Sequence, residues 1–159
     1  MNRISFLAFF FAFMMTATSF AAVEKAPPPP STSEKCPVCG MFVAKYPDWT
    51  GIITFKDSSR LYFDGPKDLF TYFLALKKYT PRKSRADIAT ILVKDYYSLA
   101  FVPGEKAYYV IGSDVYGPMG KELVPFGNKG DAEEFLRDHK GKTIVRFGEI
   151  TPELLKTLE

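Results

Sequence analysis

Between Ile52 and Phe147 the chain passes twice through one order of pattern, strand, strand, helix, strand, and that repetition limits the folds open to it. Ile52-Ile53-Thr54-Phe55 and Leu61-Tyr62-Phe63 are β-branched or aromatic runs on either side of polar Lys56-Asp57-Ser58-Ser59, which predicts a hairpin. A helix should follow, with Asp64 as its cap, Pro66 in its first turn and Leu69, Phe70, Phe73, Leu74 and Leu76 on its apolar face. Past a basic stretch at 80–85, Ile88-Ala89-Thr90-Ile91-Leu92-Val93 reads as a buried strand. The second half repeats this with runs at 107–111 and 123–126, a helix from about Asp131 to Lys140, and a strand at 143–147. Residues 61–70 are similar to residues 123–132, which suggests an internal duplication. Thr151-Pro152-Glu153 opens a short final helix, with Thr as cap and Pro at the first helical position. The expected fold is α+β: two ββαβ units, at about 50–96 and 106–148, with antiparallel hairpins and helices on one face of each sheet.

The first residues stand outside that fold. Arg3 precedes an apolar run from Ile4 to Met15, and Ser19-Phe20-Ala21 offers a small-x-small cleavage site, so 1–21 reads as a secretory signal peptide. The run is short for a membrane span, and the mature protein is expected to be exported, soluble and periplasmic, with no stable membrane insertion. Residues 22–34 carry Pro27-Pro28-Pro29-Pro30 and Ser31-Thr32-Ser33, a disordered linker to a domain at 35–159.

Composition removes some functions. The net charge of +3 comes with no basic block able to track a phosphate backbone, so nucleic acid is not an expected partner. No Ser, His and Asp arrangement is readable, and Asp64, Asp68, Asp95 and Asp114 form no recognisable catalytic pair.

Soft ligands are few, so their positions are informative. After cleavage, Met41 and Met119 are the methionines left, beside Cys36, Cys39 and His139. Both methionines touch glycine, in Cys39-Gly40-Met41 and Pro118-Met119-Gly120. Cys36-Pro37-Val38-Cys39 allows a structural disulfide, a redox dithiol or a metal site. A thioredoxin-like dithiol wants its first Cys at a helix N-terminus after a strand, whereas here the pair opens the domain and residues 40–43 read as extended. Structural zinc usually needs four Cys or His ligands, and two Cys and one His cannot supply them. Cu(I) accepts thiolate and thioether together at low coordination number. With Gly40 extended, Cys39 and Met41 would point to one side, and Met119 would join them from the other half.

Plainer readings exist for each residue: a disulfide staple for the cysteines, core packing for Met41 and Met119, and for His139 a helix-end histidine interacting with the dipole. His139 remains an auxiliary metal candidate. Trp49 and the other aromatics read as core and strand faces.

The quoted segments carry a family resemblance. Cys36-Pro37-Val38-Cys39-Gly40-Met41, Ala107-Tyr108-Tyr109-Val110-Ile111-Gly112, Met119-Gly120 with Phe126, and His139-Lys140-Gly141 before Arg146-Phe147 resemble, in order and spacing, the NosL family of copper-binding accessory proteins for nitrous oxide reductase. The resemblance implies a periplasmic Cu(I) metallochaperone, not an enzyme, that receives copper from a donor and passes it to an apo-enzyme, nitrous oxide reductase. It points to Cys39, Met41 and Met119 as copper-site positions, with Cys36 or His139 assisting. Two departures stand out: no lipobox cysteine at the cleavage site, and Lys140 at the middle position of the family's H-G-G. The rival readings are an exported thiol-disulfide oxidoreductase using Cys36 and Cys39, a metal-free binding module, and copper delivery to another cuproenzyme.

Overall fold

The computed structural model describes residues 27–159, so the expected signal peptide and the first part of the expected linker lie outside the described residues. The first half builds β1 (Gly51–Phe55), β2 (Arg60–Phe63), α1 (Pro66–Leu74), α2 (Leu76–Tyr79), β3 (Ile88–Lys94) and β4 (Phe101–Pro103). The second builds β5 (Tyr108–Ile111), a small ribbon of β6 (Tyr116–Gly117) and β7 (Gly120–Lys121), β8 (Val124–Phe126), α3 (Lys129–Asp138) and β9 (Thr143–Arg146), followed by α4 (Pro152–Lys156).

The strand orders are β2-β1-β3-β4 and β8-β5-β9, with every pairing antiparallel. In each half the first strand of the hairpin is therefore central, flanked by its hairpin partner and by the strand that returns after the helix. This is the expected pair of ββαβ units. The structure adds β4 and the β6–β7 ribbon, both too short to leave a periodic signal.

Register corrects one detail of the repeat. Phe63 pairs with Gly51 at the start of β1, Phe126 pairs with Tyr108 at the start of β5, and the two helices begin three residues later at Pro66 and Lys129. The structural equivalence is thus Phe63 with Phe126 and Gly65 with Asn128, one residue away from the alignment of 61–70 with 123–132.

A single core joins the halves. Ile53, Phe63, Leu69, Phe70, Tyr72 and Val93 pack with Tyr109, Leu123 and Val145 and with Ile150, Leu155 and Leu158 near the C-terminus. Phe70 sits at the seam, its ring 5.1 Å from Tyr109 and 5.0 Å from Phe147. Burying each such side chain contributes roughly 1.5–3 kcal/mol. A smaller cluster of Val110, Val124, Phe126, Ala132 and Phe135 lies under α3.

The two equivalent helices start differently. The Asn128 side chain accepts the Asp131 N–H at 2.9 Å, an ordinary cap for α3. At α1 the cap position is Gly65, which has no side chain to offer, and Asp64, the expected cap, faces elsewhere. The Lys67 N–H instead donates to Glu122 Oε1 at 2.5 Å, so a carboxylate from the second half caps the helix of the first.

Asp95 makes a further tie between halves. Its buried carboxylate accepts from Tyr97 N (3.1 Å), Ser98 N (2.8 Å), Ser98 Oγ (2.8 Å) and, across the seam, Gly127 N (2.6 Å). Burial pushes its pKa up, but these donors outweigh burial and hold it below the usual carboxylate value. Asp95→Ala is expected to lose on the order of 3 kcal/mol at pH 7 in urea unfolding, because the donors are left unpaired. A depressed folded pKa stabilises above the unfolded value, so the gap between wild type and variant should close as pH falls below about 4. Equal stability at pH 7 would count against this tie.

Candidate metal centre

The segment Cys36-Pro37-Val38-Cys39-Gly40-Met41 closes on itself. Gly40 N–H donates to Cys36 O and Cys36 N–H donates to Met41 O, both at 2.9 Å. Gly40 has φ +77° with no atom crowding a hypothetical Cβ, so glycine is required by backbone conformation, not by space. The expected extended strand through Gly40 is therefore replaced by a tight loop, and the idea that alternation places Cys39 and Met41 on one side no longer applies. Past the loop, Lys35 and Phe42 form an antiparallel bridge, Val43 N–H donates to Glu34 O at 3.0 Å, and Val43 is fully buried. The loop is anchored at both ends.

It is anchored against the start of α1. Cys36 Sγ donates to Asp68 Oδ2 at 3.2 Å, and Cys39 Sγ lies 3.3 and 3.4 Å from the two Asp64 oxygens. Ligand atoms of Cys36, Cys39, Asp64 and Asp68 all fall within 4.8 Å of one another. Cys36, Asp64 and Asp68 are buried, while Cys39 is half-exposed and gives the cluster its access to solvent. Both cysteines are free thiols.

Electrostatics keep those thiols protonated. Burial, then the neighbouring carboxylates, drive Cys36 far above the usual thiol value, and the same causes push Cys39 up to about 12. Amides of Val38 and Cys39 aimed at Cys36, and of Met41 aimed at Cys39, pull the other way and are outweighed. Asp68 is itself raised, by burial first and by Asp64 among the lesser causes. A soft cation entering here would displace thiol protons, with the carboxylates as the adjacent bases.

Met119 sits at the tip of the β6–β7 ribbon and is 46% exposed. Its carbonyl accepts from Lys67 Nζ at 2.7 Å, which puts the ribbon tip at the first turn of α1, the turn that also carries Asp68. Met41 is half-buried beside Cys39. His139 lies at the end of α3, its ring stacked on Phe135 at 4.3 Å and its Nδ1 3.1 Å from Asp114 Oδ1, outside the thiol cluster.

In sequence Asp64 reads as a helix cap and Asp68 as part of no recognisable catalytic pair, neither as a partner of the thiols. The sequence held no signal for that role: the alignment of 61–70 with 123–132 sets Asp64 against Phe126, and the burial of Asp64 and its equivalence with Gly127 come only from the structure.

The NosL family model matches residues 27–155. A protein described as copper-binding lipoprotein NosL from Stutzerimonas stutzeri is 27% identical over 132 residues, covering 78% of this chain and 65% of its own length. The chain thus spans slightly less than two thirds of that relative. The crystal structure of the copper chaperone NosL from Shewanella denitrificans superposes with a TM-score of 0.64 at 28% identity, covering 80% of this chain and 99% of that one.

The raised thiol pKa values can be checked without metal. Asp68→Asn removes a negative charge beside both sulfurs while burial stays, so Cys39 should react severalfold faster with iodoacetamide at pH 8 than in wild type, with denatured protein as the reference. An unchanged rate would mean the carboxylate does not control the thiol.

Proposed function

The chain belongs to the NosL family, and from that premise we propose that it is an exported, periplasmic Cu(I) metallochaperone that supplies copper for the copper centres of nitrous oxide reductase. In this reading it is a carrier and catalyses no bond chemistry. The observation that carries it is the closed loop of Cys36 to Met41 presenting two free thiols at the start of α1, where the Met119 ribbon also arrives. Among the described residues no helix is long and apolar enough to cross a membrane.

Cys39, Met41 and Met119 hold Cu(I), and Cys36 assists. Thiolate and thioether suit a soft monovalent ion. His139 keeps its partners Asp114 and Phe135, so the assisting role falls to Cys36. Loading replaces thiol protons, which pass by way of Asp64 and Asp68 to solvent. On transfer, an acceptor ligand joins the exposed side of the ion before the donor sulfurs leave, and returning protons favour release.

The thiol-disulfide oxidoreductase reading fits less well. Such enzymes lower the pKa of the attacking thiol, whereas both thiols here are raised by burial and by facing carboxylates.

Competition for Cu(I) against a chromogenic chelator should give weaker binding for both Met119→Ala and Cys39→Ser, and unchanged affinity in the two variants would defeat the proposal. Because raised thiols must lose protons to bind, log apparent affinity of the wild type should climb by about one for each pH unit per thiol proton displaced, across pH 6 to 8. A flat profile would mean that Cu(I) displaces no thiol proton. Copper transfer to apo nitrous oxide reductase, compared with transfer to an unrelated exported cuproenzyme, tests the client.

A further inference from the structure

The β6–β7 ribbon is too small to hold itself in place. It pairs only Tyr116 with Lys121 and Gly117 with Gly120, around a tip of Pro118 and Met119, and isolated hairpins of far greater length are marginal in water. What fixes it is Lys67, through two different atoms. The Lys67 backbone N–H donates to Glu122 Oε1, one residue past the ribbon, and Lys67 Nζ donates to Met119 O at 2.7 Å and to Leu158 O at 3.3 Å.

Space has been cleared for this arrangement. Glu122 is buried, and its Oε1 also accepts from Leu123 N at 2.9 Å. A side chain at Gly65 would run into the Glu122 carboxylate, and a Cβ at Gly117 would lie 2.9 Å from Glu122 Cγ. The equivalent of Gly65 in the second half is Asn128, which caps its own helix. The first helix has a foreign cap where its counterpart has a local one, and that cap arrives on the segment that carries Met119.

We infer that Lys67 is a positioning residue for copper binding: with Glu122 it clamps the Met119 ribbon to the first turn of α1 and so fixes where the thioether meets the thiol cluster. This rests on the reading of Met119 as a copper ligand. Lys67 touches no metal in this scheme. Its ammonium acts on the Met119 main chain, and the thioether is placed through it.

Cu(I) affinity is measured on the full mature chain by chelator competition for wild type, Lys67→Ala, Lys67→Arg, Met119→Ala and the Lys67→Ala/Met119→Ala double variant, with thermal midpoints as a fold control. Lys67→Ala keeps the backbone N–H on Glu122 and removes only the ammonium tie. It should weaken Cu(I) binding roughly fivefold, Lys67→Arg should restore it, and in the Met119→Ala background Lys67→Ala should change affinity by no more than about twofold. Cu K-edge absorption of Lys67→Ala should show fewer sulfur neighbours than wild type, a readout that general loosening of the fold would not move. The inference falls if Lys67→Ala leaves affinity intact while Met119→Ala weakens it, or if the two effects simply add. If Met119→Ala itself has no effect, the copper reading of Met119 fails first and the clamp loses its purpose with it.

Discussion

The start of α1 is an N-terminus inside the protein, and its unpaired amides have to be satisfied there. Gly65 cannot do it, so the carboxylate of Glu122 reaches across from the second half. Burial pushes the Glu122 pKa up to about 8, against the Leu123 and Lys67 amides that donate to it. Everything else of functional interest is arranged around that turn. The thiol loop leans on it through Asp64 and Asp68, the Met119 ribbon is tied to it through Lys67, and Phe70 continues from it into the shared core.

Much of the fold was legible because it depends on local pattern. Runs of β-branched and aromatic residues gave the hairpins, Pro66 and Pro152 marked helix starts, and Thr151 caps α4 by accepting the Leu154 N–H as its sequence predicts. The CxxCGM motif pointed to the loop that holds the two free thiols. What escaped depends on pairs of residues distant in sequence. Asp64 has good cap chemistry and leaves that role because Cys39 faces it and Glu122 already occupies the cap position. Gly40 could be extended or left-handed, and the hydrogen bonds of the closed loop decide for φ +77°. The β6–β7 ribbon and its Lys67 tie have no periodic signature at all.

Under the proposed function, the raised thiols would separate a carrier from a store. A low-pKa dithiol would exist as thiolate at neutral pH, gripping copper tightly and exposed to oxidation in an oxidising compartment. Here burial and the two carboxylates raise both thiols, so loading as proposed would compete with protonation and apparent affinity at neutral pH would be lower than the sulfur donors alone would give. Protonated thiols are also poor nucleophiles, which slows disulfide formation between Cys36 and Cys39. If the chain carries Cu(I) as proposed, one electrostatic arrangement would protect the empty protein and ease hand-over from the loaded one.

The borrowed cap bears on ancestry. If a single ββαβ unit once dimerised with itself, both copies began with identical helix starts. In the present chain one start has its own asparagine while the other has a glycine that accommodates its neighbour's glutamate. Neither unit can now be excised and paired with a twin: a twin of the first half would bring no Glu122, and a twin of the second would bring no thiols. The halves are alike in strand order and complementary in chemistry: one brings the thiols, the other the capping glutamate and the ribbon that bears Met119.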